Sequence, residues 1–445
     1  MGFYVTMVYI AFQVLSPAVL FPQLATYRVQ FIVAGLAAFL SVVQAPLSGY
    51  PLRAIQNVLV TAFFGWACMA WILHGWLGGA LEVVSNLGPV IILYYLLTAG
   101  LRTINHFRIT AAVMVSLSLY AGLRGFLAFH YGVQPEVYLM EQYAVIGEGP
   151  LLRARFLGVF SDPNDLAQMH LTVLPMLLML WKPKSPVRNL VLVGPLLAFL
   201  AYAVYLTHSR GVLVGLAFLI MVYLRSRFNP IVMTIGTVGF AVGMIALGFS
   251  GGRSVSFGAG SDRIEAWGVG LGLLKSYPLH GVGFQGFTEY HEITAHNSFV
   301  LCFSELGLVG FFLWMAIIVC SMKQLNSILS LQSDNPRLQP LMRWVRMVQL
   351  SFTGFLVTSW FLSRTYVALF WILVAMSTAI TDLARRELAG EAATMTMPVA
   401  KPEIRQRISA LLQGLPPPRW IGTTAALQTA CLMLIYIMVR LRWFG

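Results

Sequence analysis

The chain has 445 residues, 58% hydrophobic and only 10% charged, with a formal net charge of +13. A soluble globular chain carries about 25% charged residues, so this composition, with a mean hydropathy of +0.77, excludes an ordinary water-soluble fold and makes the bilayer the main solvent. Most of the positive charge sits in short loops between apolar stretches, as in cytoplasmic loops of membrane proteins, so the expected surroundings are membrane lipid and no nucleic-acid partner is expected.

In chain order, apolar stretches fall near 4–22, 30–48, 56–76, 81–99, 109–130, 164–181, 189–207, 211–225, 230–249, 296–320, 346–363 and 365–381. A stretch of roughly 17 to 25 such residues crosses a hydrocarbon core of about 30 Å as a helix. The pattern therefore predicts an all-α fold, a polytopic membrane bundle of about 12 transmembrane helices. A further apolar stretch near 420–439 is either a thirteenth crossing or an interfacial or re-entrant tail. Met1 to Leu20 lacks a basic n-region and runs into further apolar sequence, so no cleaved signal peptide is expected. No internal repeat is evident. Cys68, Cys302, Cys320 and Cys431 all lie in apolar segments without CxxC spacing, which predicts small packing residues and neither disulfides nor metal ligands.

Lys182, Lys184 and Arg188, then Arg225 and Arg227, then Lys323, Arg337, Arg343 and Arg346, then Arg385 and Arg386 share one side if the spans alternate. That side is predicted to be cytoplasmic, with the N-terminus inside. The two longest loops opposite, 131–163 and 250–295, are then periplasmic. Residues 1–381 make the transmembrane domain. The polar segment 382–419, with Pro416-Pro417-Pro418, reads as a cytoplasmic linker with a short amphipathic helix near Ile404 to Leu412, so 382–445 is a linker plus an apolar C-terminal segment. If 420–439 crosses, Arg440 and Arg442 fall outside, against the orientation rule.

Four runs carry ionisable chemistry. In the first, Arg153 and Arg155 precede Phe160-Ser161-Asp162-Pro163-Asn164-Asp165. Asp162 or Ser161 can cap a helix that starts at Pro163, with Asp165 answering as in a capping box. The two arginines lie where the orientation rule disfavours them, and guanidinium groups there suit a diphosphate or an acidic sugar. The second run, Thr207-His208-Ser209-Arg210-Gly211, joins two spans with almost no loop. Arg210 there is a snorkelling interface anchor or part of an anion site at the next helix N-terminus. The third is the loop 250–295, with Arg253, Asp262, Arg263, Glu265, Trp267, Lys275, His280, Glu289, His291 and Glu292. Such a concentration in a chain so poor in charge marks the expected functional surface; its apolar stretch Ile264 to Leu274 reads as a helix lying on or dipping into the membrane. The fourth is His296-Asn297, nine residues, then Gly307-Leu308-Val309-Gly310. On a straight helix at about 100° per residue, Gly307 and Gly310 fall about 20° and 40° from His296, which predicts a small-residue stripe that lets another helix approach beneath the histidine. Glu305 points away from it. A satisfied helix-start histidine competes with a neutral imidazole that accepts a proton.

In this order the four runs resemble the bacterial O-antigen ligase and O-antigen polymerase family, which includes exopolysaccharide polymerases and protein O-oligosaccharyltransferases. The resemblance covers roughly residues 150–380 and rests on Ser209-Arg210-Gly211, on Arg263, Trp267, Pro278 and Gly281-Val282-Gly283, and on His296-Asn297 with the later Gly-x-x-Gly. It implies a metal-independent membrane glycosyltransferase of the bacterial inner membrane, with no cofactor and an active site facing the periplasm. Its donor would be a glycan on undecaprenyl diphosphate. Its acceptor would be a growing glycan in O-antigen or exopolysaccharide polymerisation, the favoured case, or lipid A-core in lipopolysaccharide ligation. Arg210 and Arg263 match diphosphate-binding positions and His296 the proposed catalytic base or orienting group. Arg153, Arg155, Asn297, Asp262 and Glu265 are further candidates for substrate binding. Phe160 to Asp165 and Phe361-Leu362-Ser363-Arg364-Thr365-Tyr366 look closer to polymerases. A polysaccharide transporter or flippase is the reading from another class, but transporters gather polar chemistry near the midplane, whereas here it lies in loops and span ends.

The orientation is open to a direct test. A cysteine placed in each of the two long loops, by Glu148→Cys and Gly258→Cys, is expected to react with a membrane-impermeant thiol reagent once the outer membrane alone is permeabilised. Labelling only after lysis of the inner membrane would reverse the topology.

Overall fold

Backbone polar groups in hydrocarbon must be satisfied within their own segment, and in the computed structural model the apolar stretches are accordingly α-helices. The structure describes residues 1–26, 29–44, 54–142, 150–182, 184–224, 258–331, 338–392 and 416–442, with isolated residues between 229 and 239. The expected span 230–249, Arg225, Arg227, Arg253, Arg337 and the amphipathic helix near Ile404 to Leu412 lie outside the described residues.

Among the described residues the longer helices are α1 (Gly2–Leu15), α2 (Val29–Gln44), α3 (Ile55–Leu73), α4 (Leu77–Asn86), α5 (Gly88–Gly100), α6 (Ile104–Tyr131), α7 (Pro163–Val173), α8 (Pro186–Leu206), α9 (Arg210–Leu224), α10 (Gly258–Ser276), α11 (Ser298–Leu329), α12 (Leu338–Ser359), α13 (Ala368–Ala392) and α14 (Trp420–Arg442). A two-stranded antiparallel hairpin, Leu139–Gln142 with Leu151–Ala154, puts Met140 opposite Arg153. The all-helical membrane bundle is as expected. By length and composition six described helices can cross a bilayer, α3, α6, α8, α11, α13 and α14, or seven if the bent pair α4 and α5 is one span. α1, α2 and α9 are apolar but shorter, so the figure of about twelve is not reached on this measure.

α11 and α13 are the centre: 78% of the most apolar stretch of each is buried, against 28% for α14. α11 packs on α3, α10, α12, α13 and α14. Between these helices lie Trp314, Trp371, Phe303, Phe311 and Phe352, all fully buried, with Trp314 edge against Phe299 and tilted on Phe370. Cys302 and Cys320 are buried and Cys68 and Cys431 half-buried, all as free thiols.

One expectation fails for a plain reason. α11 is not straight: Gly307 breaks it at φ 66°, ψ −168°, a backbone region open essentially to glycine alone. His296, Gly307 and Gly310 therefore do not form one stripe. The break admits a loop. Val282 and Gly283 donate backbone N–H groups to the carbonyls of Ser304 and Glu305 at 2.9 and 2.8 Å, and Leu308 donates to Pro278 at 2.8 Å. A Cβ on Gly307 would lie 2.2 Å from the Leu279 carbonyl carbon, and one on Gly281 2.3 Å from that of Glu305. The Pro278 to Gly283 run is thus the strip that supplies hydrogen bonds to a broken helix. α3 closes over it through Trp66 Nε1 to the Leu306 carbonyl (2.9 Å), Trp71 Nε1 to that of Phe284 (3.2 Å) and His74 Nε2 to that of Gly281 (2.8 Å).

α14 packs along α11. Lys323 of α11 reaches Thr423 and the Pro418 carbonyl, both at 2.8 Å, Gln428 reaches the Leu308 carbonyl at 3.0 Å, and Val439 lies beside Gly268 of α10. The helix runs antiparallel to α11 along its length, so Arg440 and Arg442 lie at the α10 end of the bundle. That end is opposite the basic one, where Arg343 donates to the Trp181 carbonyl, Arg188 to that of Leu180 and Gln349 to Asn326.

Gly307→Ala combines a glycine-only conformation, costing about 1–3 kcal/mol, with a backbone clash. It is expected to lower the thermal unfolding midpoint of the detergent-solubilised protein markedly. Gly272→Ala in α10, where a Cβ meets nothing within 4 Å, is the control and is expected to leave the midpoint unchanged or raise it.

Candidate active site

The ends of α7, α8, α9, α11, α12 and α13 meet at one face. At the start of α7, Asp162 Oδ1 accepts the Asn164 backbone N–H at 2.7 Å and its Nδ2 at 2.9 Å, with Pro163 in the first helical position. The expected capping box does not form. Asp165 turns instead to Arg364, whose Nε and Nη2 both donate to its carboxylate, while Nη1 donates to the Val159 carbonyl at 3.2 Å. Asp165 is only 2% exposed, and a two-point contact with a guanidinium offsets burial of a carboxylate better than one backbone N–H does.

Arg153, from the second strand, is equally deep. Its Nε donates to the Thr207 carbonyl at 2.8 Å, Nη1 to Gln142 Oε1 at 2.9 Å and Nη2 to Asn164 Oδ1 at 3.0 Å. It ties the corner between α8 and α9 to the α7 cap. Arg155 donates to the carbonyls of Val137 (3.2 Å) and Glu136 (2.9 Å), which places it on the backbone ahead of the hairpin. After the corner His208 takes a left-handed φ of 48°, and Arg210 opens α9. Gly211 lies against Phe361, whose ring a Cβ would meet at 3.3 Å. The glycine makes room for the loop between α12 and α13.

His296 also sits in the left-handed region, at φ 46°, uncommon for a residue other than glycine. The segment is held from both sides: Trp267 of α10 donates to the Ala295 carbonyl at 2.9 Å, and Asn297 caps α11 by accepting from Phe299 and Val300 at 2.9 and 3.1 Å. Asn297 Nδ2 is buried without a hydrogen-bond partner. Burial first, and then the Arg263 charge, lower the His296 pKa below its ordinary 6.5, against an opposing pull from Asp162. The ring is therefore neutral at pH 7. Burial also lowers Arg263, again opposed by Asp162, and leaves the guanidinium charged. Asp262 and Glu265, one on each side of Arg263 in α10, line an open cavity of about 650 Å³ with Glu289, Tyr290, His291 and Glu292. His280 lies elsewhere, 3.2 Å from His74.

The loop Trp360 to Tyr366, most of which the sequence marks only by its likeness to polymerases, takes a place at the site that was not expected of it. Ser298 Oγ donates to the Leu362 carbonyl at 2.6 Å and accepts from the Arg364 backbone at 2.8 Å, Thr365 Oγ1 donates to the Ser298 carbonyl at 2.8 Å, and Thr294 meets Ser363 at 2.9 Å. Trp360 packs edge-on against Trp267 and tilted on Phe299. The usable signal was Arg364 itself, an arginine at a span end on the disfavoured side, as with Arg153. Among the described residues, no group of three His, Cys, Asp or Glu is placed to hold a metal ion.

Compared with known families, residues 195–315 match the model described as O-antigen ligase. The match holds Arg210, Arg263, Trp267, the Pro278 to Gly283 strip and His296 to Gly310; it leaves out Arg153 to Asp165 and the loop of Arg364. No curated protein matches the chain.

Asp165→Ala strands Arg364 half-buried and is expected to destabilise by about 3 kcal/mol. In the double variant Asp165→Ala/Arg364→Met most of that loss is expected to return, read from denaturation of the purified protein. Additive losses would show that the two side chains act independently.

Proposed function

We propose that this multi-pass membrane enzyme, a member of the O-antigen ligase family, transfers a glycan from undecaprenyl diphosphate to a hydroxyl acceptor on the periplasmic face of the inner membrane, and that it polymerises repeat units. The observation that carries the reading is the juxtaposition of a neutral histidine with arginines at one end of the bundle, opposite the basic loops. Arg210 and Arg263 are read as the groups that neutralise the diphosphate. As the acceptor oxygen bonds to the anomeric carbon, the bond from that carbon to the phosphate oxygen breaks and its electron pair leaves with the diphosphate. A diphosphate is already a good leaving group, so positioning and charge neutralisation supply much of the acceleration. His296 takes the acceptor proton as the new bond forms, or orients the hydroxyl, since imidazole is far too weak a base to ionise a sugar hydroxyl beforehand. Arginines take the place that a divalent ion has in other transferases, and we read the reaction as metal-independent.

Ligation to lipid A-core is the second reading, and the description of the matching family favours it. The cavity lined by Asp262, Glu265, Glu289 and Glu292 favours polymerisation, because carboxylates hydrogen-bond sugar hydroxyls and repel the phosphates of a lipid A-core. Purified protein given an undecaprenyl-diphosphate oligosaccharide, with and without lipid A-core and with EDTA in both, decides between them. Longer lipid-linked glycans without lipid A-core are expected; product only when lipid A-core is present would make the enzyme a ligase, and loss in EDTA would end the metal-free reading.

In the same assay His296→Ala is expected to insert normally and lose about 10² to 10⁴ in rate, and Arg210→Lys and Arg263→Lys to lose most activity with the bidentate fork. Since the His296 pKa lies below 6.5, the wild-type rate should fall as the ring gains a proton at low pH and reach half its plateau below pH 6.5. A rate that halves at or above pH 6.5 would take His296 out of the base role.

A further inference from the structure

Asp162 reads from the sequence as a helix cap, and it is one: Oδ1 serves the backbone N–H and Nδ2 of Asn164. The cap occupies one oxygen and not the charge. The side chain is fixed from two sides, because Asn164 is itself held through its Oδ1 by Arg153 Nη2 at 3.0 Å, and Arg153 is held by the Thr207 carbonyl. This chain of contacts runs from the corner beside Arg210 to Asp162. Three further elements are tied to the same place: Asp165, one turn after Asp162, pairs with Arg364, the loop of Arg364 holds Ser298 and Thr294 on either side of His296, and Trp267, one turn after Arg263, donates to the Ala295 carbonyl at 2.9 Å. The Asp162 charge accordingly acts on Arg263, Arg364 and His296. Asp165 does not share this duty, since it is buried and paired with Arg364 alone.

We propose that Asp162 is a positioning residue, a fixed counter-charge that gathers Arg263, Arg364 and the His296 ring around one point. Two guanidinium groups brought together without an anion would repel one another and splay apart, away from the imidazole. A carboxylate locked by a helix cap prevents this, and it keeps His296 more basic than burial and Arg263 alone would leave it. The same charge opposes an incoming anion, so it trades donor affinity for geometry. The proposal deepens the reading of this site as a diphosphate site and rests on it for the identity of the anion. The charged groups acting on His296 are Arg263 from α10 and Asp162 from the α7 cap, and Arg364 faces Asp162 from the third side.

Asp162→Asn and Asp162→Ser both retain a good helix cap and remove the charge. In full-length protein in lipid nanodiscs, the His296 ring can be titrated by NMR, its signals assigned with His296→Gln, and binding of undecaprenyl diphosphate measured alongside. We expect His296 to titrate lower in both variants by about one pH unit, the acid limb of the rate to move down with it, and the lipid diphosphate to bind about fivefold tighter. A cap with no further role would move none of these. An unmoved His296 titration in both folded variants overturns the assignment, whatever the lipid does, and equal lipid affinity overturns the opposition to the donor. A titration that moves in both variants, together with a wild-type protein that fails to bind undecaprenyl diphosphate, upholds Asp162 and overturns the donor reading instead.

Discussion

The face of the candidate site is held by a buried ion pair. Arg364 and Asp165 bridge α7 to the loop between α12 and α13, and the same loop grips the first turn of α11 through Ser298 and the segment before it through Thr294. Desolvation takes back much of the Coulomb energy of such a pair, so its value here is positional: it is satisfied in one arrangement of three helix ends. Lipid tails are as apolar as the helices themselves, so packing in the bilayer specifies position weakly. A directional charged contact at the rim supplies what the apolar faces leave undetermined.

The second constraint is the break at Gly307. A helix interrupted inside a bundle frees carbonyl and N–H groups that no water reaches, and each must find a partner. The strip Pro278 to Gly283 partners several of them, α3 adds Trp66 and α14 adds Gln428. The loop leading to His296 is therefore stitched to the centre of the bundle at the break, and to α10 by Trp267. Helix α3 lies outside the matched region 195–315, yet Trp66, Trp71 and His74 form the wall behind this loop. The N-terminal helices serve the site by holding its support.

These two constraints mark the limit of what the sequence could tell. Hydropathy gives the spans, because length and apolarity are local properties, and the rim arginines stand out through the orientation rule. The Asp162 cap was legible because the chain bond fixes Asp162, Pro163 and Asn164 beside one another. Asp165 was assigned to the same cap because its true partner lies 199 residues away, and nothing local announces a long-range ion pair. Gly307 and Gly310 suggested a stripe on a straight helix; glycine spacing does not reveal a positive φ, and only the partner strip shows why the helix bends. Arg153 and Arg155 look alike in sequence. One is the hub of the α7 cap and the other is bound to Val137 and Glu136 carbonyls, a difference set by strand direction.

The electrostatics of the rim follow from the same arrangement. A site built to receive a diphosphate must hold positive charge in the absence of substrate, at a depth where water screens it poorly. Arg153 and Arg364 have their guanidinium donors engaged by oxygens of the protein, Arg364 by an acid, whereas Arg263 is only opposed by Asp162 at a distance. The rim thus separates arginines that hold structure from one whose charge is offset by a carboxylate fixed in another role. The histidine beside that charge is driven towards the neutral form by its own burial first and by Arg263 second, the state in which an imidazole accepts a proton. In the proposed reaction anion binding and proton acceptance then share a cause: the cation that would attract a leaving diphosphate also helps burial keep the neighbouring ring free to take the acceptor's proton.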